Sequence, residues 1–287
     1  MSVFLTDEIE LRTGWRFAAY WMTYIILFLA TSAAMSEIIP GPVDFGEIRG
    51  LALSTLTLLP PAALTFAFML RFVDRRPAAV FGVTLHEGWS RDLAVGLTIA
   101  AGMVVVYTAG AGLLSGLGAD RTGLSGSGIA LTVILLSIAA ASEELVYRGY
   151  PFQILIQATG PFAAVFLMSA AFGFGHHFNP NATWLGTFNT FLAGVLLSLA
   201  YLRTRSLWLP YGIHIGWNLA IGVGLGLPVS GVRLDSIWTT SVGGPSWLTG
   251  GSFGPEGGIL ATIVIIGAAA FLGCGSRSLG TDHQEVH

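Results

Sequence analysis

The chain has 287 residues, 53% of them hydrophobic and only 10% charged, with a formal net charge of −3 at neutral pH. A mean hydropathy of +0.72 is far from the mix of a soluble globular domain, so the sequence reads as an all-α integral membrane protein. The slight negative charge excludes nucleic acid as a partner and leaves the lipid bilayer as the expected surroundings.

All thirteen basic residues are arginine. That usage points to a GC-rich genome and so to a bacterial plasma membrane. The single cysteine, Cys274, has no partner for an intrachain disulfide. The opening MSVFLTDEIELRTGW is acidic before the first apolar run, so no secretory signal is expected.

A helix crosses a bilayer with about 20 mostly apolar residues rising about 1.5 Å each. Eight stretches meet that need, at about 17–39, 51–71, 92–116, 128–150, 161–178, 183–202, 206–228 and 256–274, and none repeats another. They predict a single polytopic membrane domain over 1–287, a bundle of about eight transmembrane helices whose motif-bearing core lies at about 128–228. Pro60 and Pro61 predict a kink in the second stretch. If the N-terminus is inside, Arg12, Arg16, Arg71, Arg75, Arg76, Arg91, Arg203, Arg205 and Arg277 share its side, against Arg49, Arg121 and Arg233 on the other. The positive-inside rule therefore puts both termini in the cytoplasm. Residues 229–255 then form the longest outside loop, with Trp238 and Trp247 as interfacial anchors.

The fourth stretch ends in AASEELVYRGYPF, residues 140–152. A charged side chain at membrane depth costs at least about 2.5–3.5 kcal/mol on insertion scales, so such a group faces the protein interior and marks function. Glu144 and Arg148 are four apart and share a helical face, which suits an ion pair. Glu143 is rotated by about 100° and has no such partner nearby, which leaves it available for chemistry. A buried packing network made of all three is the competing reading of this segment.

Two later stretches carry further polar groups. The fifth ends AAFGFGHHFNP, with His176 and His177, and the seventh contains YGIHIGWN, with His214 and Asn218 four apart. A lone membrane histidine is more often a packing residue than a catalyst. Polar groups on three separate helices instead predict a shared polar cavity inside the membrane, below the cytoplasmic surface.

The motifs EELVYR at 143–148, FGFGH at 172–176 and HIGWN at 214–218 resemble the CPBP family of intramembrane endopeptidases, which includes the type II CAAX prenyl proteases and the bacteriocin-processing (Abi) enzymes. The resemblance implies a peptidase that hydrolyses a peptide or membrane-protein substrate inside the bilayer. It implies Glu143 as general base toward a water that His176 helps to hold, and His214 and Asn218 as donors to the oxyanion. Glu144, Arg148 and Phe172 would support that motif core. His177, about 100° from His176, is expected to serve packing or second-layer duty.

Other mechanisms use the same residues. Glu143, His176 and His214 could hold Zn²⁺, although no His-Glu-x-x-His fixes a metal on one helix, and no cofactor is the favoured expectation. Ser142 lacks the Gly-x-Ser-x-Gly elbow of a nucleophile. A proton-coupled transporter would also carry buried Glu, Arg and His, but the sequence has no inverted repeat. A non-catalytic scaffold or immunity protein would keep the fold and lose activity without Glu143 no more than with it.

Overall fold

A computed structural model describes residues 11–39, 41, 43–122 and 126–274; Arg277 and the C-terminal tail lie outside the described residues. All eight predicted apolar stretches are helical. The helices are α1 (Thr13–Ile38), α2 (Ile48–Phe68), α3 (Trp89–Ser115), α4 (Gly126–Arg148), α5 (Tyr150–Thr159), α6 (Pro161–His176), α7 (Trp184–Thr204), α8 (Trp208–Asn218), α9 (Ser246–Thr249) and α10 (Ile259–Cys274). The result is an all-α membrane bundle.

Length separates the crossing helices into two groups. The segments Thr13–Ile38, Ile48–Val73, Trp89–Ser115, Gly126–Thr159 and Trp184–Thr204 are long and apolar enough to cross a membrane unaided. Helices α6 and α10 have 16 residues each. Helix α8 has 11 and gains length from a π turn over Leu219–Leu225. Helix α2 continues through Pro60 and Pro61 before it widens into a π turn at Met69–Val73.

Span counting misses α5. Gly149 leaves the helical region at ψ −127°, Gly160 sits at φ +82°, and Pro151 lies in the first turn of the ten-residue helix between them. At about 1.5 Å per residue it cannot cross the membrane. Its inner face packs on the start of α1 and the end of α7: Tyr150 stacks on Tyr20 at 5.5 Å, and Phe152 meets Tyr201 edge-on at 5.5 Å. Arg16 pairs with Asp74, which also accepts from the Tyr150 hydroxyl at 3.1 Å. That network joins α1, the end of α2 and α5 on the arginine-rich side.

Helix directions follow from close approaches. Asn189 and Arg203 of α7 meet Thr262 and Leu272 of α10 in the same order, so those two helices are parallel. Helix α3 is parallel to α8, because Trp89 meets Trp208 and Tyr107 meets Trp217 in the same order. Gly96 comes so near α8 that a Cβ on it would lie 2.5 Å from the Leu209 carbonyl oxygen, and one on Gly212 would lie 2.5 Å from that of Leu93. Only hydrogen fits at this crossing, because any larger side chain would separate the backbones. Gly173 and Gly194 instead meet α7 and α6 in reverse order, which makes α6 and α7 antiparallel. These directions are those of alternating crossings.

The largest apolar cluster lies among α3, α7, α8 and α10 and includes Tyr107, Leu196, Leu197, Ile213 and Trp217. Outward side chains are apolar as well; Met22, Ile25, Ile26 and Leu29 of α1 are exposed, as a lipid-facing surface requires. The expected outer loop has structure of its own. Its strand β2 (Trp238–Val242) pairs antiparallel with β1 (Leu117–Arg121), from Leu117 opposite Val242 to Arg121 opposite Trp238. The segment then folds back on the bundle. The Tyr107 hydroxyl donates to the Thr249 carbonyl at 2.7 Å, and Asn189 Nδ2 donates to those of Glu256 and Gly258 at 2.8 and 2.9 Å.

Two outcomes check this architecture. On a Cys274→Ala background, a cysteine at Val80 should react with an impermeant thiol reagent only from the cytoplasmic side, and one at Asp120 only from the other. Gly212→Val should destabilise the folded protein by about 1–3 kcal/mol or more through overpacking, read as a lower melting temperature.

Candidate active site

Helix α4 delivers the acids. Glu144 is 1% exposed and Arg148 is fully buried, and one helical turn brings Arg148 Nη1 to 3.2 Å from Glu144 Oε1. The guanidinium also donates through Nη2 to the Gly194 carbonyl of α7 at 3.3 Å. It lies 4.3 Å from the centre of the Phe172 ring of α6, within range of a cation–π contact. Gly194 lets α7 lie close to α6, since a Cβ there would sit 2.9 Å from Ser169 Cα.

The ion pair orients a histidine. Glu144 Oε1 lies 2.8 Å from His214 Nδ1 of α8. A carboxylate already accepting from Arg148 can only accept here, so Nδ1 carries the hydrogen and Nε2 faces the site. His214 Nε2 lies 3.8 Å from Glu143 Oε2.

A second histidine approaches from α6. His176 Nδ1 is 2.8 Å from the Phe172 carbonyl one turn earlier, which again fixes the hydrogen on Nδ1. Its Nε2 lies 3.7 Å from Glu143 Oε2. Both imidazole Nε2 atoms therefore face one carboxylate oxygen, too far for direct hydrogen bonds, and that oxygen is buried without a hydrogen-bond partner among the described residues. Phe172 packs centrally, 4.5 Å from the His176 ring and 6.1 Å from that of His214.

His177 joins another group of residues. Its ring stacks on Trp184 at 4.3 Å, and Nδ1 contacts Thr187 Oγ1 at 2.8 Å. Ser142 donates to the Ile138 carbonyl at 2.7 Å, a bond to its own helix that ties up the hydroxyl.

A cavity of about 60 Å³, room for several waters, opens beside the histidines; its lining includes Phe172, His176, His214 and Asn218. Glu143 is not part of that lining and meets the histidines from the α4 side. Trp217, Ser230 and Glu256 also line the cavity, and sequence reading passes over all three. Glu256 left one signal, an isolated acid in GPEGGIL just before the last apolar run.

The metal question has a geometric side. Three ligands about 2.0–2.2 Å from a tetrahedral zinc are themselves about 3.2–3.6 Å apart. Among the described residues no group of three His, Cys, Asp or Glu side chains meets the spacing for holding a metal ion. Glu143, His176 and His214 are thus drawn together without forming a tight ligand set.

No curated protein matches the chain. Residues 125–220 match the family described as Type II CAAX prenyl endopeptidase Rce1-like. The matched third of the chain contains all three motifs and every helix of the polar cluster, α4, α6 and α8. Over that segment the chain is similar to the Rce1-like type II CAAX prenyl endopeptidase family.

Proposed function

We propose that the protein is an intramembrane peptidase that hydrolyses a peptide bond with a water activated by Glu143, without a metal, on a peptide or membrane-protein substrate. The observation that carries this reading is the convergence of His176 Nε2 and His214 Nε2 on Glu143 Oε2 at 3.7 and 3.8 Å from three separate helices.

The tautomers support distinct roles for the two histidines. With its hydrogen on Nδ1, neutral His176 offers a lone pair at Nε2. A water between it and Glu143 then gives one hydrogen to each and turns its oxygen toward the substrate. Glu143 takes the water proton as the oxygen attacks the scissile carbonyl carbon. Asn218 donates through its amide to the resulting oxyanion. His214 can do so through Nε2 only as imidazolium, because Nδ1–H is committed to Glu144. Charge balance supports that form: Glu143 and Glu144 bring two negative charges, Arg148 supplies one positive, and a protonated His214 completes neutrality in a low-dielectric site. Glu143 then passes its proton to the leaving nitrogen, the C–N bond breaks, and an acid and an amine result.

We further place the protein in a bacterial plasma membrane with both termini cytoplasmic, supported by the arginine distribution and by the alternating helix directions.

The acids separate by function. Glu143→Gln should lower turnover by about 10²–10⁴-fold, the contribution of a general base, with an unchanged melting temperature. Arg148→Ala should destabilise the fold by about 3–5 kcal/mol by leaving Glu144 buried and unpaired. Equal loss of folded protein in both variants would favour a packing network over catalysis.

The oxyanion donors and the metal give a second test. Asn218→Ala should slow turnover by about 10²–10³-fold, as loss of one preorganised donor does. Activity should survive a strong chelator, with well under one transition metal per chain by elemental analysis. Activity abolished by chelation and restored by Zn²⁺ would replace the water mechanism with a zinc one.

A further inference from the structure

The wall of the cavity beside the histidines includes a carboxylate that the hydrolytic steps above do not use. Met103, Leu196, Leu197, Ile213 and Ile265 supply its apolar walls, and Glu256 lines it together with Trp217 and Ser230. Glu256 stands in the turn before α10 and is 7% exposed. Its Oε1 accepts from Trp217 Nε1 at 2.8 Å, and its Oε2 lies a long 3.5 Å from the Ser230 backbone N–H. Both donors are neutral. Among the described residues no arginine or histidine is within ion-pairing distance of it. Two neutral hydrogen bonds compensate a buried carboxylate only in part.

A mainly apolar cavity with a carboxylate in its wall and no salt bridge to that carboxylate among the described residues complements an aliphatic side chain with a cationic tip. Lysine has that shape, because its methylene stem buries readily while the ammonium seeks an anion. The two catalytic-site histidines and Asn218 line the same cavity, so a side chain held there belongs to a residue close to the scissile bond. A carboxylate at a peptide's C-terminus would instead find like charge at this wall. We propose that Glu256 forms a specificity subsite for a basic side chain of the substrate, lysine before arginine; the assignment rests on the peptidase reading above.

Glu256 also ties the loop to α8 through Trp217, and the test must separate the two duties. Glu256→Gln keeps an acceptor for the indole N–H and removes only the charge. The full-length protein in nanodiscs should be given synthetic apolar peptides of about 20 residues, long enough to span the bilayer, each with one Lys, Arg, Met or Glu at a scanned position. At one fixed offset from the cleavage site the Lys peptide should exceed its Met counterpart in kcat/KM by about tenfold or more, the scale of one charge-assisted hydrogen bond. In Glu256→Gln that ratio should fall to near one with the melting temperature retained, and Glu256→Arg should favour Glu at the same offset. Cleavage with no preferred offset, or a preference that survives Glu256→Gln, would reject the subsite and leave the peptidase standing. If wild type cleaves no peptide, the peptidase reading fails, and a binding measurement decides the cation site alone. There n-butylamine should raise the melting temperature of wild type and Glu143→Gln but not of Glu256→Gln, with 1-butanol as the uncharged control; equal shifts from amine and alcohol would reject it.

Discussion

The buried contact between Glu144 and Arg148 is the constraint on which the rest of the site depends. Two charges removed from water are tolerable only when they are paired and hydrogen-bonded, and here one oxygen of Glu144 and two nitrogens of Arg148 make the bonds while Glu144 Oε2 and Arg148 Nε make none. Arg148 therefore reaches Glu144 on its own helix, the Gly194 carbonyl on α7 and the Phe172 face on α6. Glu144 in turn receives His214 from α8. Four helices are thereby held at fixed distances by one ion pair, and the orientation of an imidazole follows from it.

Glycine allows those helices to come that close. At the α3–α8 crossing Gly96 and Gly212 let backbones touch, and van der Waals packing takes over where lipid removes most of the hydrophobic drive between helices. Gly194 does the same for α6 and α7, and it also exposes the carbonyl that Arg148 needs. Polar bonding at the centre and small residues at the crossings are thus one design: neither would serve without the other.

The loop after α8 adds a different element. Its backbone is pinned by Asn189 and Tyr107, and it brings Glu256 to the cavity that His176, His214 and Asn218 share. The motif segment thereby provides the polar cluster, and a segment beyond the family match provides a wall of the space beside it. Polar cluster and cavity wall can then change separately, since one lies on packed helices and the other on a connection.

Hydropathy alone determined the membrane class and the positions of the crossing helices, because the need to bury every backbone polar group leaves a continuous apolar run as its trace. The spacing of Glu144 and Arg148 likewise determined their pairing, which is a contact within one helix. Tertiary structure decided the remainder. Helix α5 escaped the reading because it is set off by the turns at Gly149 and Gly160 and by its packing on Tyr20 and Tyr201, none of which leaves a periodic signal over ten residues. The tautomers of His176 and His214 depend on a carbonyl of α6 and a carboxylate of α4, so no inspection of GFGHH or GIHIG reveals them. Glu256 reads in sequence as an acid at the edge of an apolar run; only the fold-back of its loop onto Trp217 and Asn189 buries it beside the histidines, because that proximity joins segments far apart in the chain.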